Sequence, residues 1–286
     1  MTKPSVSYSK IKKVSNGGVL ETTDLLAAEE PLEIRIGYGN ANDRQQKNIS
    51  VTMRTPGNDF ELAIGFLFTE GIISGVNDIS EIKYCTDANT IENQENIVRA
   101  ELKESVSFDF KNLERIFYTT SSCGVCGKAS IDAVKTVCRI DTEPGNLKVK
   151  KELIYTLPDL LRKHQNVFEH TGGLHACALF DAEGHLILSR EDVGRHNALD
   201  KLIGACLALK QDQPGTFSFH NYILLLSGRA SFELLQKSAM AGIKIVAAIG
   251  APSSLAVETA QEFGITLIGF LRGESFNVYS GEERLV

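Results

Sequence analysis

The rhythm of apolar and polar positions changes partway along the chain. In the first part, apolar and charged residues alternate over residues 32–36 and again over 49–53, the two-residue period of half-buried strands. A polar stretch, residues 39–48, separates them. Thr55-Pro56-Gly57-Asn58-Asp59 reads as a turn into a helix, whose apolar positions Leu62, Ile64, Phe66 and Leu67 run to a stop at Gly71. Residues 82–85 and 97–102 predict further strands. From about residue 117 the pattern becomes alternating strand and helix. A helix is expected over 157–168, then two strands, 174–180 and 185–188, joined by the turn Asp181-Ala182-Glu183-Gly184. A helix over 197–208 follows. Strands at 222–226, 244–249 and 265–270 then alternate with helices at 232–241 and 254–263. These later strands are continuous apolar runs, the mark of a parallel sheet covered on both faces. The expectation is an α/β protein with a small N-terminal α+β domain over residues 1–116 and a second domain over 117–286.

Length fits that division, since 286 residues correspond to roughly two domains of about 150 each. The composition is globular, with 43% hydrophobic and 23% charged residues. A net charge of −6 argues against a general phosphate-backbone binder, so no nucleic acid partner is expected. A small basic pocket for one nucleotide stays possible. No apolar run reaches the length of a membrane span; the longest uncharged candidate, 245–257, is short and carries Gly250, Pro252, Ser253 and Ser254. The basic N-terminus lacks the apolar core of a secretory signal. A cytoplasmic protein without a membrane partner is expected, and its six cysteines are too sparse for a disulfide framework.

The strongest chemical signal is Thr119-Thr120-Ser121-Ser122-Cys123-Gly124-Val125-Cys126-Gly127-Lys128. Glycines and hydroxyl residues around a C-x-x-C pair have little to bury, which predicts a mobile exposed loop. Ile131, Val134, Val137 and Cys138 mark one helix face directly after it. Cys126 therefore falls near a helix N-terminus with Lys128 close by, and both favour thiolate, the nucleophilic form. Four roles fit the pair. It could be structural, although structural cysteines are seldom set among glycine and serine. It could bind metal, although Cys85, Cys138, Cys177 and Cys206 supply no second pair for a four-ligand zinc site, and no metal is expected. It could exchange disulfides as thioredoxin does, or carry sulfur or redox equivalents.

Three successive strands end in small polar turns: Ser227-Gly228-Arg229-Ala230-Ser231, Gly250-Ala251-Pro252-Ser253-Ser254, and Leu271-Arg272-Gly273-Glu274-Ser275 after Phe270. Ligands of open α/β sheets bind beyond the carboxyl ends of strands. Glycine permits close approach there, and Arg229 and Arg272 offer forked donors to phosphate. Each turn alone reads as an ordinary loop with a helix cap; together they point to an anionic ligand. Ser189-Arg190-Glu191-Asp192-Val193-Gly194-Arg195-His196-Asn197 marks a strand-to-helix passage. It fits a ligand or catalytic cluster as well as a helix start capped by Asp192 and Asn197 with surface ion pairs. His175, beside Gly172-Gly173, reads as a satisfied polar residue rather than a ligand.

Taken together the chain resembles the formate dehydrogenase accessory sulfurtransferase family, known as FdhD. The residues that carry the resemblance are Arg54-Thr55-Pro56-Gly57, Gly65-Phe66-Leu67, Cys123-Gly124-Val125-Cys126-Gly127, Thr171-Gly172-Gly173-Leu174-His175, Glu191 through Asn197, Ser227-Gly228-Arg229, and Phe270 through Ser275 with Asn277-Val278-Tyr279. The resemblance implies a helper that takes sulfur from a cysteine desulfurase as a cysteine persulfide. It passes that sulfur to the molybdenum of a bis(molybdopterin guanine dinucleotide) cofactor destined for the formate dehydrogenase catalytic subunit. It further implies a homodimer and a C-terminal three-layer αβα domain of cytidine-deaminase-like fold. By position, Cys123 is the family's persulfide cysteine and Cys126 its companion, whereas the helix-dipole argument favours Cys126 as the more acidic thiol. The family's cofactor stretch maps to Phe270, Leu271, Arg272, Gly273, Glu274 and Ser275, with Ser227, Gly228 and Arg229 as neighbours for the guanine nucleotide arms. The zinc signature of deaminases is missing: His196-Asn197-Ala198 and Gly228-Arg229-Ala230-Ser231 stand where H-x-E and P-C-x-x-C would be. Zinc-assisted deamination is therefore set aside. Two alternatives remain open, a cofactor-binding chaperone with structural or redox-sensing cysteines and a disulfide oxidoreductase.

Overall fold

A computed structural model describes residues 3–85, 95–106, 147–212 and 218–286. Cys123, Cys126, Cys138, the helix face after the cysteine pair and the domain boundary at 116/117 lie outside the described residues. Three sheets organise the rest. Strands β1 (Val6–Ser15) and β2 (Gly18–Ala27) form a hairpin through Asn16 and Gly17. A four-stranded sheet has the order β4-β3-β6-β5, built from β3 (Glu30–Tyr38), β4 (Gln45–Arg54), β5 (Ile79–Tyr84) and β6 (Ile97–Leu102). The third sheet has six strands.

Helix α1 (Asp59–Thr69) covers the four-stranded sheet. Leu32, Ile34 and Ile36 of β3 and Val98, Ala100 and Leu102 of β6 all point into one core with Leu62 and Leu67 of α1. That is what the alternation over 32–36 and 97–102 demands, because only every second side chain of a strand reaches a given face.

The six-stranded sheet has the order β12-β11-β10-β9-β7-β8. Its strands are β7 (His175–Phe180), β8 (Leu186–Asp192), β9 (Ile223–Leu226), β10 (Ile245–Ala248), β11 (Thr266–Arg272) and β12 (Ser275–Ser280). Strands β9, β10 and β11 run parallel, and β7, β8 and β12 pair antiparallel. The expected parallel sheet is thus a mixed one. Its parallel centre is covered on both faces, as the uninterrupted apolar runs require. Leu224, Leu226, Val246, Ala248 and Leu267 face α4 (Arg195–Asp212), α5 (Phe232–Ala241) and α6 (Ser254–Glu262). Ile223, Leu225, Ile245, Ala247 and Ile268 face α2 (Lys151–Arg162), which presents Ile154, Leu157 and Leu161.

Three further expectations are corrected. The helix expected over 157–168 is two helices, α2 and α3 (Asn166–Thr171). Its apolar stripe begins a turn earlier, at Ile154, and Pro158 is accommodated inside it. Strand β8 continues past the expected end at 188 through Ser189–Asp192, which pair with β7. The turn after Phe270 leads not to a helix but into β12. The β1–β2 hairpin escaped notice because its lysines and threonines mask any apolar alternation. Tyr8, Val14, Val19 and Leu20 stay exposed on it.

Helix α1 also packs on α4, and this contact joins the two sheets into one continuous core. The crossing depends on two glycines. A Cβ on Gly65 would overlap the Asp200 carbonyl, and a Cβ on Gly204 would overlap the Glu61 carbonyl of the other helix. Both obstacles are backbone and cannot rotate away. Gly204→Ala gains about 1 kcal/mol of helix propensity. Overpacking of this kind costs about 1–3 kcal/mol, and more where backbone must move. Net destabilisation is expected, read as a lower urea midpoint at unchanged slope.

Candidate functional site

The carboxyl edge of the six-stranded sheet collects residues from five elements. Strands β9, β10 and β11 end there. Antiparallel β7 begins there with His175, and β8 ends there with Asp192. The three polar turns are stitched to each other through main chain. The Gly250 N–H donates to the Gly228 carbonyl at 2.9 Å, and the Phe270 N–H donates to the Gly250 carbonyl at 3.0 Å. The Ala230 N–H donates to the Ala251 carbonyl at 3.2 Å, and the Ser253 N–H to the Ala230 carbonyl at 3.0 Å. Glycine is required at 250, because a Cβ would sit 2.9 Å from the Gly228 oxygen and 3.0 Å from Cα of Arg229. The structure therefore brings the 227–229 and 270–275 stretches to one ledge, with Gly250 as the link.

Each residue expected at the site has a definite place. Ser227 accepts the Ala176 N–H on its Oγ at 2.8 Å, so its hydroxyl first serves to extend the β7–β9 pairing. Arg229 and Arg272 are exposed. Gly273 and Glu274 form the exposed tip of the β11–β12 turn, and Ser275 Oγ donates to the Arg272 carbonyl at 3.1 Å. Leu271 is buried in the core over α2, so its side chain packs rather than binds.

Phe270 is in the stretch the sequence singled out, but its backbone conformation is a feature sequence reading missed. Between the pairs Gly269–Asn277 and Arg272–Ser275, two residues of β11 oppose one of β12, which is a β-bulge. Phe270 occupies it with φ +53°, in the left-handed region, and leaves 42% of its surface exposed. Bulky side chains seldom adopt this conformation, which costs of order 1–3 kcal/mol and gathers at ligand clamps. The strain leaves an aromatic face open to solvent at the sheet edge. Its only sequence signal is the oddity of phenylalanine directly before Leu-Arg-Gly.

Beside this ledge lies a cluster of His175, Arg195, His196, Arg229, Ser231 and Glu233. His175 touches the Gly228 turn, where an added Cβ would meet its Nδ1 at 3.2 Å. His196 Nε2 lies 3.4 Å from Ser231 Oγ and 3.9 Å from Glu233 Oε2. Burial, reinforced by Arg195 and Lys237, pushes the His196 imidazole down to about 4. Burial with Arg195 and Arg229 nearby also lowers His175. Both rings are neutral at neutral pH.

The Arg54–Gly57 and Glu191–Asn197 motifs meet each other, out of water. Arg54, 0% exposed, donates from Nε and Nη2 to the two Asp59 carboxylate oxygens at 2.9 Å each. Asp192, also 0% exposed, accepts from the Thr55 N–H at 3.1 Å, the Gly194 N–H at 2.8 Å and Asn197 Nδ2 at 3.1 Å. Lys201 Nζ lies 2.7 Å from that carboxylate and donates to the Thr55 carbonyl at 2.8 Å. Asn197 Nδ2 also donates to the Met53 carbonyl at 2.7 Å. Asp192 and Asn197 thus lock two sheets together instead of capping a surface helix. Glu191 accepts the Val167 and Phe168 N–H groups at the start of α3, and Arg190 forms a bidentate pair with Glu61. Among the described residues no helix is long and apolar enough to cross a membrane.

Comparison with known proteins identifies the family and the fold. The model of the FdhD/NarQ family matches residues 27–286. A protein named sulfur carrier protein FdhD from Streptomyces avermitilis is 50% identical over 280 residues, covering 96% of this chain and 94% of its own. One of the same name from Saccharolobus solfataricus is 41% identical over 273 residues, covering 96% and 95%. A crystal structure from Desulfotalea psychrophila, of a candidate formate dehydrogenase accessory protein, superposes with a TM-score of 0.72. It is 24% identical and covers 99% of this chain and 100% of that one, a likeness of fold.

Proposed function

Because this chain belongs to the FdhD/NarQ family, we propose that it is a sulfurtransferase serving formate dehydrogenase. The observation that carries the reading is 50% identity, over nearly the whole chain, to a protein named a sulfur carrier. Sulfur enters when the Cys123 thiolate attacks the sulfane sulfur of a cysteine desulfurase persulfide. A new S–S bond forms on Cys123, the desulfurase thiolate leaves, and the exchange is redox-neutral. Release uses the companion thiol. Cys126 attacks the Cys123 sulfur, the bond to the sulfane sulfur breaks, and sulfide departs with the electron pair toward the molybdenum. The Cys123–Cys126 disulfide that remains is returned to thiols by an external thiol.

The bis(molybdopterin guanine dinucleotide) is the substrate that receives this sulfur. The stitched turns support docking of its guanine nucleotide arms at the sheet edge, with Phe270 stacking on a base and Arg229 and Arg272 on phosphates. The strand order β8-β7-β9-β10-β11, with helices on both faces, supports the cytidine-deaminase-like reading of the C-terminal part. The partners are the cysteine desulfurase, the formate dehydrogenase catalytic subunit and a second copy of the chain in a cytoplasmic homodimer. Arg272→Ala is expected to weaken guanosine diphosphate binding by about 1–3 kcal/mol, the scale of a charged hydrogen bond. Unchanged affinity by calorimetry removes Arg272 from the site. The whole reading is tested by mass spectrometry after desulfurase and cysteine treatment, which should add one sulfur atom to the peptide containing Cys123.

A further inference from the structure

Cations packed against the interior of this protein are matched almost everywhere. Arg54 is held by Asp59, Arg190 by Glu61, Lys201 by Asp192, and Lys237 by Glu70 and Asp200. Arg195, half-buried at the start of α4, and Arg229, exposed in the turn after β9, are not paired in this way. Among the described residues neither has a carboxylate within ion-pair distance or a side-chain hydrogen bond. Arg229 follows Gly228, where an added Cβ would meet His175 Nδ1 at 3.2 Å, and Arg195 adjoins His196, whose Nε2 lies 3.4 Å from Ser231 Oγ; both guanidiniums disfavour protonated His175, and Arg195 also protonated His196. Two guanidiniums without an ion pair and two neutral imidazoles thus gather at the carboxyl edge of the sheet, where α/β folds receive ligands.

From this convergence we infer that His175, Arg195, His196 and Arg229 form a subsite for a tetrahedral oxyanion of the phosphate or sulfate class, beside the Phe270 ledge. Its assignment to a nucleotide phosphate rests on the guanine nucleotide reading of that ledge. Guanidiniums exclude a metal cation and supply forked donors to oxyanion oxygens. The acids facing the cluster are few among the described residues. Asp192 faces His175 but is committed to Lys201, and Glu233 faces both His196 and Arg195. Lys237, which also faces His196, is committed to Glu70 and Asp200. A bound dianion outweighs the one remaining acid and turns both imidazoles into favourable proton acceptors. Because burial and the arginines hold the histidines below their ordinary range when the subsite is empty, anion binding takes up protons. Affinity therefore rises as pH falls.

Sulfate is the probe, since it does not titrate between pH 6 and 8. It is added to the full chain while the imidazole Cε1–H resonances of His175 and His196 are followed by NMR. Saturable shifts of both rings are expected, with binding about tenfold tighter at pH 6 than at pH 8, the factor for an average uptake of about half a proton across those two pH units. Arg195→Gln/Arg229→Gln should abolish saturation, and Lys12→Gln on the exposed β1–β2 hairpin should leave it intact. Guanosine diphosphate should bind at least tenfold tighter than guanosine, an advantage lost in the double variant. A linear response in the wild-type protein, or undiminished affinity in the double variant, overturns the subsite. Saturable sulfate with equal guanosine and guanosine diphosphate binding keeps the subsite and removes its assignment to a nucleotide. The wild-type titration alone decides the matter if the double variant does not fold.

Discussion

Serine at both Cys123 and Cys126 leaves no sulfur on the protein after incubation with a cysteine desulfurase and labelled cysteine, and it leaves formate dehydrogenase without active cofactor. The loss is expected to be total because sulfur exchange requires a thiolate. A serine hydroxyl in the same place is neither ionised nor able to form a persulfide. The single variants separate the two roles. Cys123→Ser should lose loading itself. Cys126→Ser should load sulfur on residue 123 and then retain it, since nothing attacks the inner sulfur to expel sulfide. The reverse pattern would hand the carrier role to Cys126, as the helix-dipole argument favours. Full support of formate dehydrogenase maturation by the double variant would replace sulfur transfer with a chaperone role. Turnover of a disulfide substrate such as insulin would instead mark a disulfide oxidoreductase.

Lys201→Met destabilises the fold by about 3–5 kcal/mol, the cost of leaving a buried charge without its partner. Lys201 and Asp192 are 1% and 0% exposed and lie 2.7 Å apart. Removing the ammonium strands the Asp192 carboxylate and the Thr55 carbonyl together. The three N–H groups that Asp192 accepts soften the effect but do not neutralise its charge. Asp192→Asn/Lys201→Met removes the charge mismatch and keeps one acceptor oxygen, enough for the Gly194 N–H and Asn197 Nδ2 but not for the Thr55 N–H as well. It should recover at least about 2 kcal/mol of the loss, by the non-additivity of contacting sites. Chemical denaturation of the wild type, both single variants and the double variant measures this directly. Strictly additive costs would mean the two residues act independently. A stability of this size matters for function because the same contact fixes the edge on which Arg195 and His196 stand.

Local patterns were legible where the physics is local. Residues 32–36, 97–102 and 232–241 were read as the elements they form, because side-chain period and strand or helix length are set within a few residues. The turns at 227–231 and 250–254 were visible for the same reason, since glycine, serine and proline punctuate the chain by their own backbone preferences. The turn after Phe270 was placed correctly, but its destination was not. Nothing in Ser275–Ser280 distinguishes a returning strand from the start of a helix until Gly269–Asn277 pairing is seen. His175 read as an ordinary satisfied residue, and only its juxtaposition with the Gly228 turn, Arg195 and Arg229 shows its surroundings.

What the sequence determined alone was the list of parts: the thiol pair at Cys123 and Cys126, the three polar turns, and the apolar runs that build the central sheet. The tertiary structure decided which parts touch. Lys201 looks like any helix-surface lysine, and Thr55 like any turn residue, until α1 and α4 cross at Gly65 and Gly204 and force both against Asp192. Strain at Phe270 and the gathering of Arg195 and Arg229 about His175 are likewise properties of position in space. The reason is range. Backbone preference and hydrophobic period act between neighbours, whereas burial and charge pairing act between residues that sequence separates and only the fold brings together.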